Sequence, residues 1–587
     1  MATSTDVRGT METVAEKSDT KLHRKLGTID LLYLSLGGII GSGWLFGAYK
    51  AANIAGPASI LSWIIGGIII LFIALNYSEL GTMIPRSGSI VRYGQYSHGN
   101  FSGFFFGWAY FLSAVSVPAI EAEAVVTYAS AYYPQLTTGI GTLGYPIMTA
   151  LGTLVAALLM VVFFFLNFFG IKVMGKTNTG MTWWKLIIPF LTVIILFAVG
   201  FNPLNLSGLS YTSGGQTYSG FMPYGFGPVL EAVAVSGIVF SYLGFRQGLD
   251  YAGESRNPQR AIPLATIGAV LIGMVLYTLL EVVYIGGVKW SLLGVTPGNW
   301  VGIAGTVIGN APMAMLAQSA GIVWLTYILF GDAIVSPSGT LNVYLGTSMR
   351  TIYGIGTLGF LPRAAIKVGE KTGIPLVPLV ASLVIGIIFF APFPSWYSLV
   401  AFITSATVFT YLVGGPALRS LRKHAPELKR PFKLPASYFV APIGFIGAAL
   451  VVYWSGWPLD LYLLIGVYLG FVVYLIFYLV LPKQIEKFTA RDLKAGLWGP
   501  VFALVLTLMT KIGSVDFYSG FGASTYGMPL NLLKFPYDVV AVIIVSIFFY
   551  IWAALSGIRT PEIDTIVNSK TQYLAEQEFE SGGRGSK

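Results

Sequence analysis

The stretch Gly37-Gly38-Ile39-Ile40-Gly41-Ser42-Gly43-Trp44-Leu45-Phe46-Gly47 decides how the rest of the chain is read. It lies in an apolar run over residues 28–50 that is long enough to cross a bilayer, yet five of these eleven residues are glycine. Each glycine costs roughly 1 kcal/mol of helix propensity. A backbone group freed in hydrocarbon costs more still unless something satisfies it. Two explanations compete: packing glycines at a tolerated kink, or a break whose loose N–H and C=O groups line a cavity and hold a ligand.

Composition sets the class. The chain has 587 residues, is 55% hydrophobic and 10% charged, and has a mean hydropathy of +0.73. Soluble domains carry about 25% charged residues, so the chain reads as an all-α polytopic membrane protein with one helical bundle. Residues 1–27 are polar and charged (Asp6, Arg8, Lys17, Arg24, Lys25) and lack the apolar core of a cleavable signal peptide. Cysteine is absent, which removes disulfides, thiolate zinc sites and cysteine nucleophiles. The three histidines (His23, His98, His424) all fall at the expected cytoplasmic side, so no histidine-based site is expected at the midplane. No catalytic residue, metal or organic cofactor is expected, only an ion gradient, H+ by preference.

Fourteen spans follow from the apolar runs: 28–50, 57–82, 101–131, 145–169, 181–200, 225–251, 261–286, 312–348, 375–393, 396–419, 438–456, 458–481, 495–513 and 536–557. With the N-terminus inside, the intervening inner segments hold 29 of the 35 Lys and Arg, and the outer ones hold four (Lys50, Lys289, Lys511, Lys534). The remaining two, Lys185 and Arg246, lie within spans. This asymmetry is the positive-inside pattern. It places both termini in the cytoplasm of a multi-pass plasma-membrane protein and explains the net charge of +10 without a nucleic-acid partner. The expected divisions are a tail at 1–27, spans one to five at 28–200 and an external loop at 201–224. Spans six to ten at 225–419, four peripheral spans at 420–557 and a tail at 558–587 complete the chain. The external loop contains Asn205-Leu-Ser207, formally a glycosylation sequon.

Span six repeats the oddity of span one. It carries Gly237, Gly244 and Gly248 and turns polar through Asp250 and Glu254. Interrupted spans at matching places in two five-helix halves point to an inverted-repeat transporter with its site between the breaks. Here the residues also resemble a family. Gly37–Pro57, with Ile-Gly-Ser-Gly followed by Ala-Gly-Pro, is similar to the first helix of the amino acid–polyamine–organocation (APC) superfamily of amino acid permeases. Tyr77–Pro85 resembles its second-helix ending, and Phe240–Phe245 with Glu254–Pro258 and Ala261–Pro263 its sixth helix and following loop. Arg350–Tyr353, Leu361-Pro362, Thr372–Pro375 and Lys429–Pro435 resemble its eighth-helix exit and its Arg-Pro-Phe loop. The likeness covers about residues 25–480. Departures include Trp44 in place of a small aliphatic, Arg246 where many members are acidic, Gly253-Glu254 for a Glu-Glu pair, and two spans beyond the common twelve.

The first break suits an α-amino acid. The half-helix that resumes after Gly43 offers N–H groups and the positive end of its dipole to a carboxylate, around Gly41, Ser42 and Gly43. Carbonyls near Ile39 and Ile40, and near Phe240 and Ser241 in span six, accept from an ammonium group. Trp44, Tyr242 and Phe245 are expected to shape side-chain selectivity, with Ser113–Val117, Phe402 and Thr407 as further contacts.

Lys185 stands within span five, where a lysine needs a partner or water. The resemblance implies that its ammonium takes the place of a sodium ion, bridging the first break and span eight at Ser338 and Thr340. A buried lysine titrates readily, so it is a proton-coupling residue in this reading; snorkelling to the surface is the alternative. Among the intramembrane acids (Glu121, Glu123, Glu231, Glu281, Asp332), Glu121 is the preferred proton or cation ligand. Arg246 either meets an acidic side chain or pairs with Asp250 one turn on.

The expectation is a secondary transporter of amino acids or related amines, working by alternating access with proton coupling. Sodium-coupled symport and exchange in the same fold are alternatives, as are an ion channel or a non-transporting receptor. Oligomeric state is open.

Overall fold

The computed structural model describes residues 26–86, 88–138, 145–169, 171–369, 373–518 and 523–568. The far ends of both tails, expected to be cytoplasmic, and Thr372 of the exit motif lie outside the described residues. Helices dominate. The first half comprises α1 Thr28–Ile39, α2 Gly43–Ala55, α3 Ser59–Met83, α4 Ser89–Ala129, α5 Ala150–Phe168 and α6 Ile171–Gly200. There follow α7 Gly227–Val235, α8 Ile238–Tyr242, α9 Ala269–Gly287, α10 Pro312–Ser319, α11 Val323–Thr357, α12 Leu376–Ile388, α13 Trp396–Tyr411 and α14 Gly414–His424. The last four long helices are α15 Ser437–Ser455, α16 Leu459–Val480, α17 Trp498–Ile512 and α18 Tyr537–Ser556.

Each of the fourteen expected stretches contains a helical segment, in several over only part of its length. Among the described residues, ten helices are long and apolar enough to cross a membrane, or eleven when Gly227–Val235 and Ile238–Asp250, bent by 49°, count as one. The apolar windows of Ile90–Ala129 and Trp396–His424 are wholly buried, which puts α4 and α13 at the centre. Those of Leu459–Val480 and Tyr537–Ser556 are only 17% and 22% buried, so α16 and α18 turn most of their apolar surface outward. An exposed row such as Ile465, Leu469, Val472, Ile476 and Leu479 would not be tolerated in water and marks a lipid-facing surface.

Four expectations about the elements need correction. The third span starts close to 101 as expected, after a kink at Gly99 where the chain folds back, but the inner segment before it is helical from Ser89 and not a loop. Its polar first turns read as a loop because their partners are remote in sequence: His98 Nε2 lies 2.8 Å from the Ala553 carbonyl, and the Asn100 N–H bonds Asp492. The fifth span likewise begins at Ile171, through a stretch read as an inner loop; polarity lowered its hydropathy without ending the helix. Span eight is not continuous, since α10 stops at Ser319 and α11 runs from Val323 to Thr357. Finally, Asn205 is buried, and its amide donates to the carbonyls of Ile285, Gly286 and Val288. It ties the outer loop to the end of α9 and is not presented as a glycosylation acceptor.

Both glycine-rich breaks are present. The first span loses its helical path between Ile39 and Gly43, and the sixth between Val235 and Ile238. Gly237 adopts φ +97°, which side chains rarely take, and a Cβ there would lie 2.8 Å from the Trp396 ring. Only glycine satisfies both demands. The two broken spans cross closely: a Cβ at Gly244 would fall 2.0 Å from the Ile39 nitrogen.

Candidate substrate and coupling site

The site is built from the hydrogen bonds that the first break fails to make. In an unbroken helix the Gly41 N–H would serve the Gly37 carbonyl. Instead it bonds Ile39 O at 3.1 Å. The Gly37 carbonyl is taken by the Lys185 ammonium at 2.6 Å, and the Lys185 Nζ also donates to Thr340 Oγ1 at 2.8 Å. Thr340 in turn lies 3.2 Å from Gly37 O and 3.4 Å from Ile40 O. Lys185 is fully buried, so it faces inward and does not snorkel. Gly339 makes room for it, since a Cβ there would meet Nζ at 3.1 Å.

On the other side of the break, Glu121 accepts the Ser42 N–H at 2.9 Å through Oε2. It caps the restart of the helix, where a negative group is favoured by the N–H groups and the dipole. Its second oxygen, Oε1, has no partner. Gly41 lets the groups converge: a Cβ there would stand 2.5 Å from Glu121 Oε1 and 2.8 Å from Thr340 Oγ1. Lys185 feels both Glu121 and Asp332 electrostatically. Asp332 accepts hydrogen bonds from Trp184 Nε1 at 2.9 Å and Ser336 Oγ at 2.7 Å. Glu121, Lys185 and Thr340, from three helices, therefore converge on one backbone break.

The remaining expected residues divide. Phe240 and Ser241 pack on Gly43, the Ser241 hydroxyl so closely that a Cβ at 43 would clash. The halves are thus closed on each other. The Ile40 carbonyl lies within 3.4 Å of Thr340 Oγ1, and the Ile39 carbonyl is engaged by the Tyr277 hydroxyl at 2.8 Å. Trp44 is buried with its indole N–H unpaired. Tyr242 turns away, donating to Trp63 O at 3.0 Å and packing on Trp63 and Tyr277. Phe245 packs on Tyr411. Ser338 is buried, but the only α11 hydroxyl bonded to Lys185 among the described residues is Thr340. Two positions apart on a helix, residues 338 and 340 face in very different directions.

Three contributors were not expected. Trp396 donates to Ser42 Oγ at 2.7 Å and stacks on Phe46, closing the break from the first turn of α13. Tyr277 and Trp184 are the others. Each is an aromatic in an aromatic-rich sequence, so nothing local distinguished it. The other acids are structural or unpartnered. Glu281 accepts from Ser59 at 2.5 Å and Trp63 at 2.7 Å, tying α3 to α9, whereas Glu123 is buried with both oxygens unpaired. Arg246 and Asp250 form no ion pair, and the Tyr110 hydroxyl donates to Asp250 instead.

A helical membrane bundle with two facing broken spans and charged groups gathered on one break is an arrangement that membrane transporters use. The chain belongs to the amino acid permease family of the APC superfamily: the family described as "Amino acid permease" matches residues 26–481. It is 38% identical to the glutamate/serine transporter AimA of Bacillus subtilis, over 96% of this chain and 99% of that one. It is 33% identical to the aspartate-proton symporter of Bacillus subtilis, over 92% and 98% of the two chains. With the branched-chain amino acid permease BcaP of the same organism it shares 25% identity, over 79% and 95%. The protein is a transmembrane amino acid transporter.

Proposed function

We propose that the protein is a proton-coupled secondary transporter of amino acids in the plasma membrane, working by alternating access between its two broken spans. The observation that carries this reading is the pairing of Lys185 on the Gly37 carbonyl with Glu121 on the Ser42 N–H, two titratable groups on opposite sides of one break. Glu121 occupies an N–H that an α-amino acid carboxylate would need. Protonating Glu121 weakens its hold on that N–H and admits the substrate. Losing a proton from Lys185 weakens its grip on Gly37 and loosens the inner half of span one. Proton and substrate binding are thereby linked through shared hydrogen bonds. Spans one to five and six to ten form the two inverted halves in this reading, with fourteen crossings and both termini inside.

The aspartate-proton symporter supports coupling to protons, and the two relatives of widest coverage support amino acids as substrates. The test is uptake of labelled amino acids into proteoliposomes with no internal amino acid and no sodium. An inward proton gradient should drive accumulation, and a protonophore should abolish it. Accumulation only with sodium, or only with internal amino acid, establishes symport with sodium or exchange instead.

A further inference from the structure

We propose that Arg246 is the specificity-determining residue for substrates with a second carboxylate, an acidic amino acid of about glutamate length. This rests on the transport reading above and adds the side-chain class to it.

Arg246 is fully buried. Of its five N–H donors, only those on Nη1 make a well-formed hydrogen bond, to the Ser113 hydroxyl at 3.0 Å, while the Tyr344 and Tyr411 hydroxyls approach the guanidinium more loosely. Nε and Nη2 make no well-formed bond. Those two atoms form one edge of the guanidinium, the edge that receives a carboxylate through two parallel hydrogen bonds. The rings of Tyr110 and Tyr344 lie 4.7 and 4.9 Å from the guanidinium carbon and fix its plane. The Tyr411 hydroxyl faces the guanidinium without a well-formed bond to it, and an arriving carboxylate would replace that weak contact. Asp250, the obvious internal counter-ion, is engaged with Tyr110 and leaves its other oxygen unpaired. A buried cation with a vacant bidentate edge is costly, and an arriving carboxylate relieves that cost.

Its position fits the substrate site. Arg246 lies two residues past Gly244, whose backbone rests on Ile39 at the first break. Its anchor Ser113 precedes Glu121 by eight residues on α4, about 12 Å along the helix. The two carboxylates of an extended glutamate are roughly 6–7 Å apart, and a hydrogen bond of about 2.9 Å at each end brings the span to about 12–13 Å. We place one carboxylate at the Ser42 N–H and the other at Arg246; the partners of these two groups, Glu121 and Ser113, mark the two ends of this stretch of α4. Glutamine offers the guanidinium a single neutral acceptor and leaves a buried donor unpaired, which sites of this kind reject strongly.

The experiment compares glutamate with glutamine in proteoliposomes of the full chain, as the ratio of their uptake efficiencies. The wild type should favour glutamate at least tenfold. Arg246→Gln should lower that ratio at least tenfold, and Arg246→Lys should recover part of it. Ser113→Ala, which frees the guanidinium, should move the ratio the same way and serves if Arg246→Gln does not fold. An unchanged ratio overturns the proposal. So does an equal change in Asp250→Asn, which would make the arginine one half of an internal pair, or thermal stabilisation by chloride or phosphate without stabilisation by glutamate. A wild type that moves neutral amino acids but not glutamate sinks this proposal and leaves the transport reading standing. If no amino acid is moved at all, the transport reading fails, and stabilisation by glutamate but not glutamine still decides the role of Arg246.

Discussion

The Lys185 ammonium and the Gly37 carbonyl lie 2.6 Å apart, because the Gly41 N–H that would serve that carbonyl in a continuous helix bonds Ile39 instead. A charge-assisted hydrogen bond thus replaces a helical one. The lysine is bound to the break itself, so its protonation state acts directly on how the first span is held.

Lys185→Ala should separate coupling from binding. It removes the donor from Gly37, while Thr340 at 3.2 Å still offers that carbonyl a partner, so folding should survive at a loss of about 1–3 kcal/mol. Uptake driven by a pH gradient should fall at least tenfold, with exchange of internal for external amino acid persisting. Measuring both in the same proteoliposomes checks this. Uptake that still responds to the gradient as the wild type does would remove Lys185 from the coupling.

Glu121→Gln fixes a neutral side chain at the Ser42 N–H. If protonation of Glu121 is what admits the substrate, the variant should bind amino acid with little dependence on pH between 5 and 8, whereas wild-type affinity should rise as pH falls. Binding measured across that range by thermal shift decides it. Identical pH profiles would place the titrating group elsewhere.

Gly41→Ala tests the convergence of three helices on one position. The added Cβ would lie 2.5 Å from Glu121 Oε1 and 2.8 Å from Thr340 Oγ1. Either group must move, and both converge on the first break. Transport should fall at least tenfold in protein that elutes normally on size exclusion. Wild-type uptake would mean that the two side chains are not held as described.

Much of this arrangement was legible in the sequence. The breaks announced themselves because glycine clusters are expensive in a membrane helix, and Lys185 because a charge there needs a partner. What stayed hidden is what depends on remote partners. Nothing near Arg246 in sequence shows that Tyr110 captures Asp250 and leaves the guanidinium without an internal carboxylate. Trp396 sits just after Pro394-Ser395 and reads as an interface anchor until its indole is seen on Ser42. Tyr242 and Phe245 lie beside the right glycines, but the twist after Gly237 aims them at Trp63 and Tyr411.

Trp396→Phe isolates the lid over the first break. Phenylalanine keeps the stacking on Phe46 and removes the donor to Ser42 Oγ. One neutral hydrogen bond is worth about 1 kcal/mol, so stability should change little. If Trp396 orients the Ser42 backbone for a substrate carboxylate, KM should rise about five- to tenfold for every amino acid carried, with maximal rate largely retained. A change confined to one substrate would make Trp396 a side-chain contact.

Glu79 offers a test of stability away from the transport site. It is fully buried at the end of α3 and accepts from Arg422 Nε at 2.9 Å, Arg422 Nη2 at 2.5 Å and the Leu434 N–H at 2.7 Å. Arg430, at the head of the Arg-Pro-Phe sequence, lies 3.6 Å away. This carboxylate fastens the loop between α14 and α15 to α3. Removing one partner of a buried pair costs about 3–5 kcal/mol because the other charge is stranded. Glu79→Ala strands two arginines, although Arg422 is 22% exposed and recovers some hydration. A large fall in Tm is expected in detergent. Adding Arg422→Ala should cost less than the sum of the two single changes, the non-additivity that marks a direct interaction. Strict additivity would mean that the pair contributes nothing as a pair, and that the loop is held by Arg430 and its backbone contacts alone.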